Sequence, residues 1–292
     1  IMNNLEVNET HIVIEDKDRK CAPSTSFEDN SCISLDLLIE MAKSYNLENE
    51  NKIKLYPLFE TLNRSKYKKY LLYEFSQRFK NCSSQQCWTK QTFIDRMNKT
   101  SRDILIGNTW RPEGPKKRYE WLNSLQINKV MRQYEKKYKD FVFLDCQPID
   151  FQELNRSKLK DADLMSLYNS GTYKIATIFN LDESWKSGSH WCALFANLKT
   201  GEIYFFDSVG TPPEPRIRSY MRKVARFCQK ELNITNITAL SNKIRHQYEG
   251  SECGVYSINF IVRLLRGDSF DEICRSEIPD DTINQCRLVY FN

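Results

Sequence analysis

The chain has 292 residues, of which 40% are hydrophobic and 28% charged, with a formal net charge of +5. These proportions suit a globular protein of two domains, or one large domain with an appendage. They argue against disorder throughout, collagen-like structure and a membrane bundle. No stretch approaches 18 consecutive apolar residues, so no membrane insertion is expected, and the opening IMNNLEVNET lacks the basic and apolar regions of a signal peptide.

The ten cysteines include no CxxC pair, and with three histidines they form no recognised zinc signature. A reducing compartment with mostly free thiols is expected, and no metal. Charge is unevenly spread. Residues 1–50 carry 4 basic and 11 acidic side chains, and residues 51–140 carry 21 and 8. The basic strip 51–140 could meet nucleic acid, an acidic partner or the acidic N-terminal segment of its own chain, although a solvated helix face is the plainer reading.

Residues 1–30 read as irregular. Leu37 to Met41 and Tyr67 to Phe79 suggest helical pieces, and a polar region follows at 80–104. The Pro–Gly cluster TWRPEGPKKR (109–118) marks a boundary loop, which divides the chain into an N-terminal domain, 1–105, and a second domain, 106–292. Tyr119 to Tyr138 reads as a helix through Trp121, Leu122, Leu125, Val130, Met131 and Tyr134. Phe141 to Leu144 and Tyr173 to Phe179 have strand composition.

His190 to Ala196 and Glu202 to Asp207 predict a β-hairpin, with Gly201 taking positive φ in the turn. Pairing Ala196 with Gly201 sets His190 opposite Asp207, with Cβ atoms about 5 Å apart. A carboxylate there can orient an imidazole. Further on, Arg245-His-Gln-Tyr-Glu-Gly-Ser-Glu-Cys-Gly precedes an amphipathic stripe of Val255, Ile258, Val262 and Leu265, with Gly267 as its stop. Cys253 then lies at or just before the first turn of a helix. Unpaired N–H groups and the helix dipole lower a thiol pKa there. Gly254 omits a Cβ that would crowd an incoming substrate backbone. Gln247 can donate to a developing oxyanion beside the Cys253 N–H. His246 is a rival to His190, read as a loop residue.

The order His190-Trp191, Asp207, Gln247, Cys253-Gly254 resembles the ubiquitin-like-protein-specific cysteine proteases of peptidase clan CE. Within that group it resembles the polyprotein-processing protease of African swine fever virus. The resemblance covers about residues 106–292. It implies an α+β core, with a central mixed β-sheet flanked by helices, and a mainly helical N-terminal arm domain. It implies a cysteine endopeptidase that needs no cofactor and cuts viral structural polyproteins after Gly-Gly-X sites during virion maturation, in the virion and host cytoplasm. It also implies that Trp191 lines a narrow tunnel for small residues. The rivals are a SUMO- or ubiquitin-deconjugating isopeptidase of the nucleus or cytoplasm, and a catalytically dead interaction module.

Overall fold

The computed structural model describes residues 20–57 and 63–292. His11, the opening decapeptide and most of the irregular reading of 1–30 lie outside the described residues. The described chain forms two compact units, dividing between Pro112 and Glu113, with residues 291–292 belonging to the first.

The first unit is helical among its described residues. Helix α1 (Leu35–Glu48) starts where the Ser34 hydroxyl accepts the Leu37 N–H, and α2 (Arg64–Arg78) where Asn63 accepts that of Lys66. Asn98 caps α3 (Lys99–Asn108) in the same way. The region 80–104, read as merely polar, folds into two 3-10 turns, Gln85–Lys90 and Thr92–Arg96, followed by most of α3. Four of its apolar residues, Trp88, Phe93, Ile94 and Met97, are buried with Leu38, Met41, Leu71 and Phe75. Phe75 and Phe93 stack with centroids 6.0 Å apart. Much of the basic strip is answered locally. Arg64, Lys69 and Arg96 pair with Asp36, Asp29 and Glu48. The buried Lys68 donates to the carbonyls of Glu28 and Ser31.

Cysteine pairing departs from the expectation in this unit, where Cys21 bridges Cys32 and Cys82 bridges Cys87. The other six cysteines, all between Cys146 and Cys286, are free thiols. Spacing alone gave no warning, because both bridges close short loops whose ends the helical packing brings together.

The second unit is built on a five-stranded mixed sheet in sequential order. Its strands are β1 (Phe141–Pro148), β2 (Lys174–Asn180), β3 (Trp191–Asn197), β4 (Glu202–Phe206) and β5 (Thr238–Ser241). β1 runs parallel to β2, and β4 parallel to β5, while β2, β3 and β4 are antiparallel. One face packs on α6 (Pro215–Lys230) through Ile203, Phe205, Ile217, Tyr220 and Val224. The other carries α7 (Cys253–Arg266), where Phe206 stacks on Phe260 at 4.8 Å. The remaining helices are α4 (Ser124–Lys137), α5 (Leu164–Asn169), α8 (Phe270–Cys274), α9 (Asp280–Gln285) and α10 (Arg287–Tyr290). The α+β reading therefore holds. No helix among the described residues is long and apolar enough to cross a membrane.

Two local readings need correction. Helix α4 begins at Ser124, so Trp121 and Leu122 precede it. Asn123 and Gln126 form a reciprocal capping box that ends the irregular segment there. The hairpin pairs Ala196 with Ile203 and Asn197 with Glu202, a two-residue shift from the expected register. Leu198 is the cause. It is fully buried, and its N–H donates to the Tyr173 carbonyl at 2.7 Å, so Leu198 to Gly201 form the loop. A shift of two preserves side-chain facing, whereas a shift of one would have reversed it.

Candidate active site

His190 lies just before β3 and Asp207 just after β4, at the same end of the hairpin. In the observed register Asp207 continues opposite Cys192, diagonal to His190 rather than facing it. The two side chains still meet, with His190 Nε2 donating to Asp207 Oδ1 at 2.6 Å. The carboxylate also accepts the N–H groups of Val209 at 3.0 Å and Thr211 at 3.3 Å. Its backbone is held by the buried Asn242, whose amide accepts the Asp207 N–H and donates to the Asp207 carbonyl. Asp207 is thus a fixed group, which is what orienting an imidazole requires.

Cys253 is the first residue of α7, where N–H groups are unpaired and the helix dipole is positive. Its thiol is buried, close enough to the His190 ring for the two groups to interact. Since Nε2 is engaged by Asp207, Nδ1 is the ring nitrogen left for sulfur. Burial opposes a charge on His190. The hydrogen bonds and charges of Asp207 and Cys253 outweigh it and raise the pKa to about 10. For Asp207, burial pushes the carboxyl upward, but the His190 bond and charge, with the Val209 N–H, bring it below the usual carboxylate range. An imidazolium held by a carboxylate beside the Cys253 sulfur is placed to assist nucleophilic attack.

Gln247 is buried and tied to the segment after Asp207. Its backbone N–H donates to the Ser208 carbonyl, and Ser208 Oγ donates to Gln247 Oε1 at 2.7 Å. The Nε2 group donates to the Glu249 carbonyl at 2.5 Å, leaving one N–H for a further acceptor. His246 lies in a loop, as expected, and is fully buried there. It packs 5.3 Å from the Phe206 ring, and its Nδ1 accepts the Ile278 N–H. Burial, followed by the nearby Arg263 charge, lowers its pKa to about 4, so it stays neutral.

Trp191 is buried, with its indole N–H donating to the Leu122 carbonyl at 2.9 Å. A Cβ built on Gly254 would meet Leu122 Cβ at 3.1 Å and Trp191 Cδ1 at 3.3 Å. The expected role of Gly254 changes accordingly. The absent Cβ first lets α7 approach the Trp191 and Leu122 side chains. Trp121, Leu122 and Trp191 border a cleft of about 410 Å³, which continues past Gln147, Pro148 and Gly188. Trp121 and Leu122 continue the apolar stripe of α4 in sequence, and the Asn123 to Gln126 cap pattern is the signal that starts the helix after them. Asn242 carried no such signal, because its role depends on the fold.

The profile described as Ulp1 protease family, C-terminal catalytic domain, matches residues 113–285. A thiol protease of Acanthamoeba polyphaga mimivirus is 38% identical over 273 residues, covering 90% of both chains. A protein of African swine fever virus named SUMO-1 cysteine protease is 25% identical over 198 residues, 62% of this chain and 71% of that relative. The crystal structure of a protease from that virus superposes with a TM-score of 0.68 at 18% identity, covering 96% of this chain and 97% of the other. The chain belongs to the Ulp1 protease family and is a cysteine protease.

Proposed function

We propose that this member of the Ulp1 protease family is a SUMO-protease-like viral endopeptidase that cuts structural or core polyproteins after Gly-Gly-X sites during virion maturation. The observation that carries the site assignment is His190, held by Asp207 at 2.6 Å and within reach of Cys253 at the start of α7. The Cys253 thiolate attacks the scissile carbonyl, and the C–N bond breaks as protonated His190 gives its proton to the leaving amine. Water, deprotonated by His190, then hydrolyses the acyl-enzyme and frees the thiolate. Asp207 fixes the imidazole tautomer and stabilises the imidazolium. Gln247 Nε2 and the Cys253 N–H stabilise the tetrahedral oxyanion.

Trp191 directly follows His190 and borders the cleft with Trp121 and Leu122, which supports a narrow passage that favours glycine in the substrate. The viral relatives support a viral setting, and the maturing virion and host cytoplasm are part of the proposal. Incubating the full chain with candidate structural polyproteins, then sequencing the new termini, tests the reading. Cleavage after Gly-Gly-X that disappears in Cys253→Ala is the expected result. Full activity in that variant would overturn the nucleophile assignment. Rapid labelling of Cys253 by a SUMO or ubiquitin vinyl sulfone, without polyprotein cleavage, would instead favour deconjugation. Nucleic acid on the basic strip 51–140 is tested by binding duplex DNA across a salt series, and a flat response would remove it.

A further inference from the structure

Glu252 directly precedes Cys253 and stands at the N-cap of α7, with no exposure to solvent. Its carboxylate is gripped by Arg287 of α10, with Nε donating to Oε2 at 2.8 Å and Nη2 to Oε1 at 2.9 Å. Oε1 also accepts from the Ser251 hydroxyl at 2.9 Å and from Asn284 Nδ2, on α9, at 3.1 Å. Asn284 then exchanges hydrogen bonds with Arg118. Its Nδ2 donates to the Arg118 carbonyl at 2.9 Å, and Arg118 Nε donates to its Oδ1 at 3.0 Å. Four residues further along that segment, the Leu122 carbonyl receives the Trp191 indole. One polar chain therefore joins the start of the nucleophile helix to the cleft wall.

A buried ion pair is weak support for stability, because desolvation offsets much of the attraction, and apolar replacement is often neutral. This pair nevertheless sits one residue from a thiol that must ionise. An unpaired carboxylate there would oppose the thiolate as a like charge, while an unpaired guanidinium would favour it. We propose that Glu252 and Arg287 are a charge-balanced pair of positioning residues, which fixes the start of α7 while leaving Cys253 free to ionise. The inference rests on Cys253 being the nucleophile. Around the sulfur the other titratable groups are His190, Asp207 behind it, and Cys192 of β3. Around Glu252 they are Arg287, Tyr256 of α7 and, through Asn284, Arg118. Asp280 and Glu277 lie beyond Tyr256.

The test is the pH dependence of iodoacetamide alkylation of Cys253 in the full chain, followed by mass spectrometry, together with kcat and KM. Arg287→Met should raise the alkylation midpoint by about one pH unit, roughly a tenfold slower reaction at any pH below both midpoints, with kcat falling and KM little changed. Glu252→Gln should move the midpoint the opposite way. The Glu252→Gln/Arg287→Met protein, with the charges removed together, should return to within about threefold of the unmodified rate. A merely structural pair would slow alkylation in both single variants and leave the double variant no better. Either that pattern or unmoved midpoints overturns the proposal. If Arg287→Met does not fold, the downward shift in Glu252→Gln and its reversal in the double variant decide. Absence of Cys253 labelling in the unmodified protein would instead strike the nucleophile assignment itself.

Discussion

At the residue scale the site rests on how Asp207 conditions His190. The imidazole is a folded-state cation with a pKa of about 10, against 6.5 for the free side chain. Its contribution to stability is fully present below about pH 6.5 and is lost as the pH rises through about 10. In the proposed mechanism catalysis shares that alkaline limit, so kcat/KM should hold through neutrality and fall near pH 10. Asp207→Asn removes the charge and weakens control of the tautomer. We expect kcat to fall on the order of 10³- to 10⁴-fold and the alkaline limb to move toward neutrality, measured as a pH–rate profile. A limb left near pH 10 would show that Asp207 does not set the His190 charge. Gly254→Ala tests packing instead. Its new Cβ must displace Leu122 or Trp191, at a cost of about 1–3 kcal/mol in denaturant unfolding. The residue types in this site were legible because nucleophile, base and acid are few in kind, and only three histidines compete. The groups holding them were not. Asn242 and the Glu252–Arg287 pair draw their meaning from partners 35 residues away in sequence.

At the scale of elements, the hairpin shows which sequence signals suffice and which do not. Alternation and the glycine turn placed β3 and β4 to within a residue, because side-chain period and positive φ are local properties. The register was not local. It is set by Leu198, whose burial and bond to Tyr173 assign it to the loop, and Tyr173 lies 25 residues earlier. The reach between His190 and Asp207 survived the error because diagonal neighbours on one face stay within range of long side chains. Helix α4 failed for the opposite reason. Its apolar period runs on through Trp121 and Leu122, and only the cap chemistry at Asn123 ends it. Leu198→Ala therefore carries a definite expectation. Loss of a fully buried side chain in an anchored loop should destabilise the second unit by about 2–5 kcal/mol. Activity should recover at low temperature as the folded population returns, since the variant leaves His190, Asp207 and Cys253 unaltered. Loss of activity in fully folded protein would mean that Leu198 also sets the site geometry.

Across the whole molecule the two units differ in chemistry as well as in fold. The second unit keeps six free cysteines, including Cys253, and its family profile match covers residues 113–285. The first unit carries both disulfides, packed with the aromatic cluster around Phe75. Composition revealed the charge contrast between chain segments but not this thiol contrast, since cysteine count and spacing are silent on which sulfurs become neighbours. Redox conditions should therefore act on the units in opposite directions. Closing loops with sequence separations of 11 and 5 residues stabilises by about 2–3 kcal/mol each in the chain-entropy treatment. Treatment with dithiothreitol should lower the unfolding midpoint of the first unit, followed by hydrogen exchange of α1 and α2. The same treatment should leave β3, β4 and α7 protected and preserve or raise the reactivity of Cys253. Alkylation under denaturing, non-reducing conditions should modify Cys146, Cys192, Cys228, Cys253, Cys274 and Cys286, and prior reduction should add the other four. Labelling of all ten without reduction would mean that the first unit holds together on its apolar core alone, and its stability should then be indifferent to thiols.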